Sequence, residues 1–256
     1  VTTDITPAGF TSGAEKAAVN TGFGGGFFGT GYFGTARADT GNFAEATTWA
    51  MDNWGEYLIA CSSTDGKIYE WQLDNATAAA AVSNAPVSNL SVMVSAERFL
   101  FALGAGGNPR LVQWSDREDN TTWTAAATNE AGQIELQTAG QIMSGINVRG
   151  QSLILTDQDA HSATYEGPPY VYNLERVGQS CGVISRKASI SMDAGAFWMG
   201  QEGFFSYSGG AVQEVPCDVA DYVFGDLNRS QSSLVHAVPM AQHGEVWWFY
   251  PSGASN

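Results

Sequence analysis

Basic residues are scarce in this sequence: 256 residues carry eleven Lys and Arg against twenty-six Asp and Glu, a formal net charge of -15. Tight binding to duplex DNA needs clustered cations that displace phosphate counterions, so a surface this acidic is unsuited to it. Two readings of the acidity stand. One is solubility; the other is a conduit wall that repels phosphate and lets DNA slide past. Long apolar runs are also missing. The longest, such as Phe99 to Leu103, fall far short of the roughly twenty residues that a membrane helix needs. No basic segment leading into an apolar stretch opens the sequence, so neither a signal peptide nor membrane association is expected. Cysteine is limited to Cys61, Cys181 and Cys217, with no CxxC spacing. That argues against a disulfide framework and a structural zinc site, and for small buried apolar side chains.

Several chemical signatures are absent too. There is no GxSxG and no HExxH, which removes two common hydrolase patterns. Gly24-Gly25-Gly26 is followed by no GK[ST], so it is not a phosphate loop. Asp157-Gln158-Asp159-Ala160-His161 has the donor types of a cation site. It lies between two apolar runs, however, where a polar hairpin turn is expected in any case. Converging carboxylates of a glycosidase leave no mark in sequence spacing and stay open. No cofactor, metal ion or catalytic residue is assigned.

What the sequence does have is glycine (30 residues) and aromatic side chains (12%), with few charged residues. That mix suits short strands and tight turns better than long helices. A strand-pair pattern recurs every forty to fifty residues, the spacing of propeller blades. Tyr57–Ala60 is followed by Lys67–Trp71, Phe99–Ala102 by Arg110–Trp114, Leu153–Thr156 by Ser162–Tyr165, and Ala196–Met199 by Gly203–Tyr207. Each is an apolar run, a polar or glycine-bearing turn and a second run ending in an aromatic residue, which reads as a hairpin. The expected fold class is therefore all-β: a β-propeller of four-stranded blades, incomplete in this chain, with a long Gly/aromatic loop insertion and short helices.

The expected organisation has three parts. Residues 1–9 end a preceding blade, since Val1 to Pro7 resembles Val212 to Pro216. Residues 10–48 form a loop insertion. Residues 49–256 form the blades, the last one truncated, with Glu245–Tyr250 as its first strand and no hairpin partner. Ala76–Ala85 reads as a short helix or an irregular connection, and Asp218–Val238 as one or two short helices. Trp54, Trp71, Trp114, Trp198 and Trp247 are expected in the blade cores. Within the loop, Phe23, Phe27, Phe28, Tyr32 and Phe33 alternate with glycines. Two readings stand for them: a gate or subunit contact, and a staple holding the loop to the propeller flank. Asp116, Glu118 and Asp119 fall in a polar stretch that loosely resembles the aspartate-box turn of sialidase-like propellers. They are candidate lumen or loop acids, with a solvated turn as the plain alternative.

A family resemblance rests on longer segments: Arg98-Phe99-Leu100-Phe101-Ala102-Leu103-Gly104-Ala105-Gly106-Gly107-Asn108-Pro109-Arg110, Val112–Asp116, Gly167–Tyr170, Phe197–Gly200 and Glu245–Pro251. From about Trp49 onward these resemble the tail hub or nozzle proteins of short-tailed, podovirus-like bacteriophages. The resemblance implies a non-enzymatic structural virion protein, a propeller subunit made in the bacterial cytoplasm and incorporated into the phage tail. Six copies would form a homohexameric ring below the portal and adaptor proteins, in contact with other tail proteins. The ring would retain packaged DNA and conduct it on ejection without binding it specifically. The alternative from a different class is a propeller glycosidase or polysaccharide depolymerase acting at the host surface. A receptor-binding module is a third.

Overall fold

A computed structural model of the chain describes residues 48–74 and 76–253. The expected terminal strand 1–9 and the loop with Phe23, Phe27, Phe28, Tyr32 and Phe33 lie outside the described residues. The rest is all-β: four four-stranded antiparallel sheets and one of two strands, each a simple up-and-down meander.

Blade one contains β1 (Trp49–Trp54), β2 (Tyr57–Ser62), β3 (Ile68–Trp71) and β4 (Ala80–Ala81). Blade two contains β5 (Ser91–Val94), β6 (Leu100–Leu103), β7 (Leu111–Trp114) and β8 (Gly132–Glu135). Blade three contains β9 (Ile142–Val148), β10 (Gln151–Thr156), β11 (Asp159–Gly167) and β12 (Val171–Gln179). Blade four contains β13 (Ser189–Met192), β14 (Gly195–Met199), β15 (Phe204–Tyr207) and β16 (Gln213–Val215). After helix α1 (Ala220–Asp226) and a 3-10 segment, Arg229–Leu234, blade five supplies β17 (His236–Met240) and β18 (Glu245–Phe249). The four hairpins read from sequence are the second and third strands of blades one to four.

The first strands pack in succession, β1 on β5, β5 on β9, β9 on β13 and β13 on β17. Successive sheets are thus arranged about one axis, as in a propeller. The core sits between blades. Ile59, Cys61 and Ile68 of blade one meet Val92, Val94, Leu100 and Ala102 of blade two. Phe101, Leu103 and Trp114 of blade two meet Ile154, Ala163 and Tyr172 of blade three. Leu153 and Leu155 of blade three join Ala196, Trp198 and Met199 of blade four, and Trp248 of blade five packs against that cluster. Fully burying one such side chain is worth about 1.5–3 kcal/mol, so no blade is stable without its neighbours. Close backbone approach at the turns requires glycine. Gly66 has φ +61°, and a Cβ there would lie 2.7 Å from Ser88 Cα and 2.6 Å from Asn89 N.

Two expectations need correction. Glu245–Tyr250 is not a lone first strand: β18 is the second strand of its blade and pairs with β17 through Val238↔Trp247. Pro239 and the preceding polar 3-10 segment hide β17 from pattern reading. Of the two readings for Ala76–Ala85 the irregular connection holds, apart from the two-residue outer strand β4 that pairs with β3. Trp54, Trp114 and Trp198 are buried and Trp71 is half-buried, but Trp247 is 47% exposed. The face of blade five that carries it has no further blade against it among the described residues. Within 218–238, α1 and the 3-10 segment are helical as expected, whereas His236–Val238 belong to strand β17.

Candidate functional site

Side chains and backbone of the inner strands link around the axis. Asp52 Oδ2 on β1 accepts from Val94 N on β5 at 2.8 Å, and Asn147 Nδ2 on β9 donates to Val94 O. Ser144 and Ser189 hydroxyls on β9 and β13 lie 3.0 Å apart, and Ser191 Oγ donates to Asn147 O at 2.7 Å. Ala237 N donates to Lys187 O at 2.8 Å, joining blades four and five.

An open cavity of about 620 Å³ lies along these strands, and its wall draws on all five blades: Thr48–Met51, Ser91–Val92, Ser144–Ile146, Arg186, Lys187, Ser189 and Ser233–Ala237 contribute. A second chamber of about 270 Å³ shares Thr48, Arg186 and Ser233 with it. The larger chamber presents Arg186, Lys187 and His236 and no carboxylate among its described lining residues. The smaller one contains one acid, Asp157, whose Oδ1 accepts from Gln141 N at 2.9 Å. In a chain of net charge -15, this makes the axis a local inversion of sign. Neither Arg186 nor Lys187 is ion-paired with a described carboxylate. Sequence reading missed this site because its wall comes from five separate segments. One local signal existed: Arg186-Lys187 is the single adjacent pair of basic residues in the chain.

The acids singled out from sequence occupy the connection between β7 and β8. Asp116 Oδ1 accepts from the backbone N–H groups of Arg117 and Glu130, each at 2.8 Å. Asp119 Oδ1 accepts from the hydroxyl and N–H of Thr121 at 2.6 and 2.8 Å, and its Oδ2 from Thr122 Oγ1 at 2.8 Å. Thr121 first, with help from Thr122, holds the Asp119 carboxyl below its usual range. Glu118 is exposed, with φ +59° and its N–H on Arg98 O. Asp116 and Asp119 thus build a turn over buried Trp123, and none of the three acids lines either axial chamber.

Asp157-Gln158-Asp159 forms the β10–β11 hairpin turn. Asp159 Oδ1 accepts from Thr156 Oγ1 at 2.6 Å and from Thr138 Oγ1 at 3.0 Å, and His161 Nε2 lies 3.1 Å away. Burial outweighs the Asp159 charge and lowers the His161 pKa, keeping the ring neutral near pH 7. Among the described residues, no group of three or more potential metal ligands converges. Cys61 and Cys181 are buried, and burial raises both thiols to about 11, which suits structural and unreactive cysteines.

Two sheet faces at the ends of the blade series are apolar and open. On blade one, Trp49 (40% exposed) and Met51 (59%) project from β1, with Trp49 6.2 Å from the Tyr69 ring. On blade five, Trp247 and Phe249 share a face with His236, which stacks on Phe249 at 5.0 Å.

No protein-family model matches the chain, and no curated protein matches it. Solved structures do. The extracellular domain described as part of a hybrid two component system from B. thetaiotaomicron is 12% identical (TM-score 0.49), with 84% of this chain and 27% of that chain covered. A Lactobacillus plantarum protein is 11% identical (TM-score 0.49), with 79% and 64% covered. A protein from Bacteroides fragilis described as exported is 7% identical (TM-score 0.44), with 82% and 72% covered. The chain spans less than two thirds of the length of the first two.

Proposed function

We propose that this chain is a structural virion protein, a subunit of a phage tail hub or nozzle ring that retains packaged DNA and conducts its ejection. The observation that carries the reading is the pair of open apolar faces, Trp49 and Met51 on blade one and Trp247 and Phe249 on blade five. Contiguous exposed apolar surface of this kind marks sites that associate with further protein. The phage-like segment Glu245–Pro251 carries Trp247 and Phe249 themselves, and a second, Arg98–Arg110, lies on blade two, which adds the tail hub to the general idea of an assembly subunit. The acidic exterior supports a surface past which DNA moves without being held. In this reading Phe23, Phe27, Phe28, Tyr32 and Phe33 gate the lumen or contact a neighbouring subunit. Heterologous contacts between identical copies close the ring.

Immunoelectron microscopy of phage particles produced with this chain tests the proposal. Antibody bound at the head–tail junction is the expected result. Particles that never carry the chain, or purified chain that cleaves host-surface glycan, would replace the hub with the depolymerase reading.

A further inference from the structure

We propose that the axial cavity is a binding site for a small organic anion, with a carboxylate or phosphate group held by Arg186 and Lys187 and its ring or short chain lying against Trp49 and Met51. The volume, about 620 Å³, falls in the range of roughly 300–1,000 Å³ typical of small-molecule sites. Charge gives the sign of the ligand. The chain has twenty-six acids, yet the described wall of the large chamber carries none and carries two adjacent cations. Arg186 is half-buried and unpaired with any described carboxylate, so its guanidinium is available for bidentate contact with an oxyanion. Five other arginines are occupied differently. Arg110 pairs with Glu135 at 2.5 Å, Arg98 and Arg117 lie over Trp54 and Tyr165, and Arg149 and Arg229 bind backbone carbonyls. The facing hydroxyls of Ser144 and Ser189 offer donors and acceptors to a polyhydroxyl body. The exposed indole of Trp49 and the thioether of Met51 give it an apolar floor. His236 completes the wall, its Nδ1 engaged with Leu234 O at 3.1 Å. Trp49 and Met51 belong both to this cavity and to the blade-one face of the proposed ring, so a ligand and a ring neighbour exclude each other there and the inference concerns the unassembled chain.

The test titrates the full chain with glucose 6-phosphate, glucuronate and glucose, followed by calorimetry and tryptophan fluorescence. Saturable binding of either charged sugar, with glucose much weaker, is expected, and the better of the two identifies the acid group. Arg186→Gln weakens that binding at least about tenfold, the change expected on losing a charge-assisted hydrogen bond. Lys67→Gln, outside the cavity lining, leaves it unchanged. If Arg186→Gln does not fold, the exposed Lys187→Gln serves instead, with affinity again falling. Failure of both charged sugars to bind, equal binding of glucose, or wild-type affinity in the folded variant would overturn the proposal.

Discussion

Trp248 on β18 donates its indole N–H to the backbone carbonyl of Ala188 at 3.0 Å, and its ring lies 5.0 Å from that of Phe204. This residue anchors blade five to blade four. Its neighbour Trp247, pointing the other way on the same strand, is exposed. Period-two alternation therefore separates a fold residue from a surface residue at adjacent positions. Trp248→Ala is expected to destabilise the chain by about 2–4 kcal/mol, whereas Trp247→Ala changes the stability of the isolated chain by no more than about 0.5 kcal/mol. Urea denaturation of both variants checks this, and equal losses would contradict it.

Trp198 is fully buried, donates to Cys181 O at 2.7 Å and stacks 6.0 Å from Phe205. Trp198→Ala leaves a large void and an unpaired carbonyl, with an expected cost of about 3–5 kcal/mol. Trp198→Phe costs less by refilling part of the void. Thermal melting of the two variants gives the order.

Gly182 lies where the chain enters blade four against the hairpin of blade three. A Cβ there would overlap the Asp157 carbonyl, which is backbone and cannot swing aside. Gly182→Ala is expected to destabilise by about 1–3 kcal/mol through overpacking. A melting temperature equal to wild type would show that the two blades separate more readily than this packing implies.

His161 sets a pH dependence. Its folded pKa is lowered below 6.5, first by burial and then by Arg176, with Asp159 opposing. The unfolded state therefore binds the proton more readily, and the stability contributed by the neutral ring is present above about pH 6.5 and lost as pH falls through the folded value. Urea midpoints at pH 7.5 and 5.0 should differ in wild type and differ less in His161→Gln. That range stays above the lowered carboxyls of Asp65, Asp74 and Asp119, which add their own losses at lower pH.

The propeller is legible in the sequence because the second strands of blades two, three and four are buried on both sides. They stand out as apolar runs such as Leu100–Leu103 and Leu153–Leu155, broken by Gly or polar turns. The first strands are harder to see. They border the axis, carry serines such as Ser91, Ser144 and Ser189, and in β17 contain a proline. Short outer strands such as Ala80–Ala81 have no pattern at all. The axial site is illegible for a related reason: residues from Thr48 to Ala237 meet only after the blades close about the axis. Asp116 and Asp119 were visible as a polar turn, and their hydrogen bonds to Arg117, Glu130, Thr121 and Thr122 give that turn its physical content.

The central claim is that this chain is a subunit of a ring. Electron microscopy of the native assembly, with two-dimensional class averaging, tests it most directly. The account predicts six-fold rings or tubes with a central opening, joined by subunit interfaces exceeding about 1,000 Å². Monomers, or small closed oligomers without a channel, would contradict it.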